Sequence, residues 1–178
     1  MPHSHDPWTV TLSPGECIIA ATIAANRQVA NREANVVNLQ GGSQPNMTTE
    51  MVGIFGELAV ARMLNCYPDL STSLRRGSSD LHIGRLTLDV KTTRFTTADL
   101  RIDERASKSS DLYVLAIADW TEIRAVGYAI RSLDCIPENL NRGNSRWSGA
   151  GWVIPQGKLR KMGTLKDALE KLRLPRDQ

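Results

Sequence analysis

The sequence predicts an α/β domain in which a mixed central β-sheet is flanked by α-helices, and three observations carry this prediction. Apolar residues recur at helical spacing over residues 14–34 and again over residues 48–63. Residues 80–91 alternate between apolar and polar side chains on either side of Gly84, which is typical of a β-hairpin. Residues 112–118 are almost continuously apolar, as expected for a central strand that is covered on both faces.

The composition is that of an ordinary globular protein. The chain has 178 residues, of which 41% are hydrophobic and 23% charged, so it can bury a core of its own. Its net charge of +3 is too small to indicate a polyanion partner by itself. We find no apolar run that could span a bilayer, no signal peptide, and no cysteine spacing typical of a disulfide framework or a zinc ribbon. These features favour a cytoplasmic protein.

The first helix begins at a capping box. Ser13 is the predicted N-cap, Pro14 the first helical residue and Glu16 the third. Residues 1–13 would form a flexible arm ahead of this helix. Arg27 lies further along the helix, and we interpret it as part of a solvated face, although a polar group on an N-terminal helix could also reach a functional site.

The second helix carries two glycines in its first turns. We expect it to be capped at Thr48. Gly53 and Gly56 each cost roughly 1 kcal/mol of helix stability relative to alanine, so a close approach of the helix to the sheet is the natural compensation. Glu57 follows these glycines and is therefore expected near the sheet, although an exposed acid near a helix N-terminus is an alternative interpretation.

The predicted hairpin brings acidic and basic side chains together. Alternation places Asp89 and Lys91 on one face of its second strand and Val90 on the other. Asp80 enters from the preceding strand and would meet Asp89 across the hairpin. Two carboxylates beside a lysine make a plausible site for a hard cation such as Mg²⁺.

This arrangement resembles the signature of the PD-(D/E)XK nuclease superfamily, in which an acid and a short spacer precede an acid, any residue and a lysine on one strand. Asp80 and the run Asp89–Lys91 match that order, and Glu57 matches the additional acid that a preceding helix usually supplies. Ser79 stands where the signature has proline. The resemblance covers about residues 48–120, and it implies a restriction-endonuclease-like core.

The resemblance also implies a Mg²⁺-dependent deoxyribonuclease, in which Mn²⁺ can substitute for Mg²⁺. Asp80 and Asp89 would hold the metal ion together with the carbonyl oxygen of Val90. Lys91 would orient the attacking water or stabilise the phosphate in the transition state. Glu57 would bind a second metal ion or position the same water. The residues alone do not separate these roles.

Residues predicted to contact DNA are basic, hydroxyl-bearing or aromatic. Arginine suits phosphate because its fork binds two oxygens, and an aromatic side chain in a basic loop can stack on a base. The arginines equally well fit ordinary surface charges, and the tryptophan could instead cover the edge of the core. The set consists of Arg75, Arg76, Thr92, Thr93, Arg101, Arg142, Arg146 and Trp147.

The rest of the chain reads as structural. We expect strands over residues 100–103, 112–118 and 123–130, a short edge strand over residues 151–154, and a terminal helix capped by Thr164. Tyr113 and Tyr128 are expected in the core. Residues 14–174 would form the single domain and residues 175–178 a frayed end.

Three functional hypotheses remain open from the sequence. The first is a DNA endonuclease or exonuclease, which a small stand-alone domain would suit as a phage or mobile-element product acting in the host cytoplasm. The second is a structure-selective nuclease resembling Holliday-junction resolvases, which would form a homo-oligomer. The third is a nucleic-acid-binding or assembly protein that keeps the fold without catalysis. The residues do not distinguish DNA from RNA, or cutting at ends from cutting within a strand.

Overall fold

A computed structural model describes residues 6–34, 46–72, 79–104, 110–141 and 150–173. The helices in these residues are α1 (Pro14–Glu33), α2 (Asn46–Met63), α3 (Arg131–Asp134) and α4 (Met162–Arg173). The strands are β1 (Thr9–Thr11), β2 (Leu81–Ile83), β3 (Leu86–Thr93), β4 (Leu100–Asp103), β5 (Leu112–Asp119), β6 (Glu122–Ile130), β7 (Leu140–Asn141) and β8 (Gly151–Ile154). No helix within these described ranges is both long and apolar enough to cross a membrane.

The principal sheet has five strands in the order β1-β6-β5-β3-β2. Strands β3 and β5 are parallel, whereas the other neighbouring pairs are antiparallel, so the sheet is mixed. One face packs against α1, α2 and α4 in a single apolar cluster. The predicted α/β class, with a mixed sheet and flanking helices, is therefore confirmed.

A second sheet, which the sequence analysis did not anticipate, covers part of the other face. It has three antiparallel strands in the order β4-β8-β7. Leu100 and Ile102 of β4 form an apolar cluster with Tyr113 and Leu115 of β5. The predicted edge strand at residues 151–154 is wrong in its position, because β8 lies in the centre of this sheet and pairs on both sides.

The predicted arm over residues 1–13 is wrong for Thr9–Thr11, because these residues form the edge strand β1. They pair with β6, and Thr9 lies opposite Arg124. The hydrogen bonds that hold this segment come from β6, which is distant in the chain, so the sequence of the segment itself does not predict them. Residues 175–178, predicted to be frayed, lie outside the described residues.

The predicted capping box of α1 is confirmed. Ser13 Oγ accepts a hydrogen bond from the Glu16 backbone N–H at 3.3 Å, and Glu16 Oε2 accepts one from the Ser13 backbone N–H at 2.7 Å. The two reciprocal bonds satisfy N–H groups that have no partner within the helix. The start of this helix is thus encoded locally.

The predicted starts of the other two long helices are late, because each predicted N-cap lies inside the helix, two residues after its first residue. Helix α2 begins at Asn46, ahead of Thr48, and α4 begins at Met162, ahead of Thr164. The Thr164 hydroxyl donates to the Lys161 carbonyl at 2.7 Å from within the first turn, so it does not cap the helix.

The hairpin has strands of unequal length, and this inequality creates the open edge on which the candidate site is built. Its turn contains Gly84 with φ of 61°, a conformation that favours glycine. Strand β2 pairs only from Leu81 opposite Leu88 to Ile83 opposite Leu86. Strand β3 continues to Thr93 with β5 as its partner. One edge of residues 89–93 therefore has no β2 partner.

The close approach predicted for the α2 glycines holds for one of them. A Cβ atom at Gly56 would overlap Thr92 Oγ1, so only glycine fits there without a shift of the helix. A Cβ atom at Gly53 would meet nothing within 4 Å. Helix α2 thus rests on β3 at Gly56, and this contact sets the position of the next residue, Glu57.

Candidate active site

Asp80 occupies the edge of β3 that β2 leaves open. Its Oδ2 accepts a hydrogen bond from the backbone N–H of Val90 at 2.7 Å. This bond replaces the strand-to-strand bond that a longer β2 would have made. The N–H and C=O of one strand residue point the same way, so the Val90 carbonyl oxygen is directed to the same edge.

Asp89 and Lys91 share the face of β3 that is turned towards the second sheet. Their partners in the ladder, Tyr113 and Leu115, belong to the apolar cluster on that side. Asp89 is 7% exposed, and Lys91 Nζ lies 2.7 Å from its Oδ1. Within the described residues this oxygen has no aligned hydrogen bond, so its contact with Lys91 is chiefly ionic.

Glu57 meets a buried arginine from α1. The exposed fractions are 8% for Glu57 and 6% for Arg27, and Arg27 Nη1 lies 3.4 Å from both Glu57 carboxylate oxygens. The other guanidinium nitrogens donate to backbone carbonyls: Nε to Ser71 at 3.1 Å and Nη2 to Asp69 at 3.0 Å. All three nitrogens of the guanidinium are thus engaged.

The interpretation of Arg27 as part of a solvated face is wrong. Buried residues of α1 follow helical spacing at Ala20, Ile23 and Ala24, and Arg27 occupies the next position of that stripe. That periodicity was the signal available in the sequence. It places the side chain towards α2, where Glu57 compensates its charge.

Glu57 and Asp89 lie close enough to Asp80 to affect its titration. Burial, followed by the charges of Glu57 and Asp89, raises the pKa of Asp80 well above its ordinary value, against the opposing effects of the Val90 N–H and of Lys91. If all side chains are ionised, three carboxylates face two cations, Arg27 and Lys91. The cluster then has an excess of negative charge.

Lys91 keeps its proton at neutral pH. Burial by itself would lower the pKa of its ammonium group, but the negative charge of Asp89, with smaller contributions from Asp80 and Asp103, raises the pKa above its ordinary value. A charged ammonium group therefore stands beside the carboxylates. It can neutralise one of them or donate a hydrogen bond.

The donor set fits a magnesium ion held by few protein ligands. Mg²⁺ usually binds through one or two carboxylates and keeps several waters, and Asp80, Asp89 and the Val90 carbonyl supply oxygens at one edge. Asp89 Oδ1 is a buried oxygen without an aligned hydrogen bond. Across the part of the chain that the structure describes, no group of three or more His, Cys, Asp or Glu side chains is arranged to hold a metal ion.

Three of the residues predicted to contact nucleic acid lie within the described ranges. Thr92 directs its hydroxyl towards α2, 3.5 Å from the Gly53 carbonyl oxygen, so it serves helix packing. Thr93 Oγ1 accepts a hydrogen bond from the Phe95 N–H at 3.2 Å. Arg101 is on the face of β4 opposite its buried neighbours, and burial lowers its pKa. The other predicted contacts lie outside the described residues: Arg75, Arg76, Arg142, Arg146 and Trp147.

Comparison of the chain with protein-family models, curated proteins and solved structures found no match. The nuclease resemblance therefore remains a prediction from the motif. Function is inferred from Asp80 at the open edge of β3 and from the charged side chains that act on it, Glu57, Asp89 and Lys91. Arg27 pairs with Glu57.

Proposed function

We propose that this chain is a Mg²⁺-dependent nuclease with a restriction-endonuclease-like core, which hydrolyses phosphodiester bonds of DNA. The supporting observation is the grouping of Asp80, Asp89 and Lys91 where β3 outruns β2, with Asp80 bonded to the Val90 N–H at 2.7 Å.

Charge supports a cation at this edge. Burial, together with the charges of Glu57 and Asp89, raises the pKa of Asp80, and a divalent cation would relieve the repulsion among these carboxylates. Asp80, Asp89 and the Val90 carbonyl would hold Mg²⁺, with Mn²⁺ as a substitute. When bound, the ion supplies positive charge to the phosphate oxygens and makes a water molecule more acidic.

The protein side chains then position the reactants. Lys91, held by Asp89, donates a hydrogen bond to the attacking water or to a non-bridging phosphate oxygen. Glu57, held by Arg27, accepts a hydrogen bond from that water and keeps it facing the phosphorus. As the water oxygen attacks phosphorus and forms the new P–O bond, the bond to the leaving sugar oxygen breaks. The attacking water gives up a proton to solvent, and the leaving sugar oxygen takes a proton from solvent. Such positioned groups each contribute about 10²–10⁴-fold to a rate.

A cytoplasmic location belongs to the same proposal. Cys17, Cys66 and Cys135 are free and partly buried thiols, which is usual for proteins of reducing compartments. DNA of the same compartment is then the accessible substrate.

The proposal is tested by incubating the purified protein with linear duplex, circular duplex and single-stranded DNA in Mg²⁺, in Mn²⁺ and in chelator. We expect metal-dependent cleavage that falls at least about 100-fold in Asp89→Asn. Asp167→Asn is the matched control, because Asp167 is an exposed carboxylate on α4. Cleavage that persists in chelator, or that Asp89→Asn retains in full, would overturn the proposal.

A further inference from the structure

We infer that Arg27 is a positioning residue for the candidate site, which it serves by fixing Glu57 and, through the backbone of residues 69–71, Asp80. The inference rests on the proposed function, because the site that Arg27 serves is the proposed cation site. Arg27 is buried, and its guanidinium contacts Glu57 and two backbone carbonyls. Because all its nitrogens are used in these contacts, its role is to hold other groups in place.

The first route runs directly to Glu57. Arg27 Nη1 is equidistant from the two carboxylate oxygens, at 3.4 Å from each. The ion pair links α1 to α2 at the turn where Gly56 touches β3. Glu57 is therefore fixed by its ion pair with Arg27 and by the contact of the preceding residue, Gly56, with β3.

The second route runs through the connector between α2 and β2. Arg27 holds the Asp69 and Ser71 carbonyls, and the Asp69 N–H donates to the Asp80 carbonyl at 3.2 Å. Pro68 forms an isolated bridge with Leu81, the first residue of β2. The connector that Arg27 fixes thus pairs with the backbone that carries the Asp80 side chain.

Only an arginine can make this set of contacts. The guanidinium presents three nitrogens in a rigid plane, and here each nitrogen has a different acceptor. Lysine carries the same charge on a single nitrogen and cannot reach three separated acceptors. The substitution Arg27→Lys therefore removes the geometry while it keeps the charge.

The experiment titrates Mn²⁺ alone into the purified protein and measures the dissociation constant by calorimetry. We expect Arg27→Lys to bind Mn²⁺ about 10–100-fold more weakly than the wild type, which is the usual effect of losing a group that orients metal ligands. Arg160→Lys is the matched control: Arg160 forms an ion pair with Asp134 outside the site. It should lower the melting temperature and leave the Mn²⁺ affinity unchanged.

A second comparison keeps the inference testable if Arg27→Lys does not fold. In a Glu57→Gln background, loss of Arg27 no longer leaves the Glu57 carboxylate without its ion-pair partner, and adding Arg27→Gln then removes the contacts of Arg27 with the Asp69 and Ser71 carbonyls. We expect a further loss of at least about fivefold in Mn²⁺ affinity, since the route to Asp80 is lost. Equal affinities with and without Arg27, in a wild type that binds Mn²⁺, would overturn the positioning role alone. A wild type that binds no Mn²⁺ would overturn the proposed cation site and the positioning role together.

Discussion

Two aspartates flank β3 and make the same kind of contact with it, yet their charges are stabilised very differently. On the β5 side, Asp111 Oδ2 accepts hydrogen bonds from the Thr87 backbone N–H at 3.0 Å and from its hydroxyl at 2.7 Å. These bonds lower the pKa of Asp111. Its ionised form is the one that the fold favours.

On the open side, Asp80 also accepts a backbone N–H of β3, that of Val90, but its pKa is raised. Burial and the charges of Glu57 and Asp89 outweigh the hydrogen bond. Hydrogen bonds to β3 therefore explain the lowered pKa of Asp111. The hydrogen bond from Val90 does not set the direction of the pKa shift of Asp80. A carboxylate whose charge is unfavourable, near two other carboxylates, is a candidate for binding a cation.

Removing Lys91 should produce the largest effect, because Lys91 is the cation that pairs with Asp89 and lies within range of the Asp80 charge. We expect Lys91→Ala to reduce metal-dependent cleavage by about 10²–10⁴-fold, measured as initial rates at saturating DNA. Far-UV circular dichroism should show an intact fold. Lys166→Ala is the matched control, since Lys166 is exposed on α4. Retained cleavage in Lys91→Ala would remove lysine from the mechanism.

Adding a methyl group at Gly56, the residue before Glu57, should have an intermediate effect, which is measured on the stability of the fold. In Gly56→Ala the added Cβ overlaps the Thr92 hydroxyl, and we expect a loss of about 1–3 kcal/mol in the free energy of unfolding, as for overpacked cores. Gly53→Ala is the control in the same helix: it has open space and should gain up to about 1 kcal/mol from helix propensity. Denaturant melts measure both. Equal effects at the two glycines would contradict the close contact.

Neutralising the two aspartates in turn should have the smallest effect, with opposite signs. Because the pKa of Asp80 is raised in the folded protein, ionisation of Asp80 lowers the free energy of unfolding at pH values above that raised pKa. This loss of stability becomes smaller as the pH falls towards 3.8, the ordinary pKa of an aspartate. Asp80→Asn should therefore raise the melting temperature at pH 7. The gain should disappear near pH 4.

Asp111→Asn is the counterpart. Since the pKa of Asp111 is lowered, its charge stabilises the fold above pH 3.8, and that contribution is lost as the pH falls through the lowered pKa. The substitution should lower the melting temperature at pH 7. Both variants are compared by thermal melts at the two pH values, and shifts of the same sign would erase the distinction between the aspartates.

Local signals in the sequence predicted the elements that carry the site. The capping box at Ser13, the hairpin around Gly84 and the alternation of β3 each depend on residues that are neighbours in the chain. Such signals need no knowledge of the tertiary fold. They were sufficient to predict a mixed sheet with flanking helices and a hairpin that carries Asp80, Asp89 and Lys91.

Contacts between distant segments could not be predicted in this way. Arg27 and Glu57 are 30 residues apart, and the partner of β1 lies beyond residue 120. Gly53 and Gly56 are equivalent as helix residues, and only the position of Thr92 separates them. The second sheet likewise joins β4 to strands that follow it by some forty residues or more. The alternation of polar and apolar residues within a strand does not show which distant strand it pairs with.

The most direct test of the account is whether a divalent cation relieves the strain at Asp80. Wild-type protein and Asp80→Asn are melted with and without Mn²⁺ at pH 7. A cation at 100 times its dissociation constant stabilises a fold by about 2.7 kcal/mol, so the wild-type melting temperature should rise by about 5–10 °C and that of Asp80→Asn by much less. An equal rise in both proteins, or none in the wild type, would contradict the cation site.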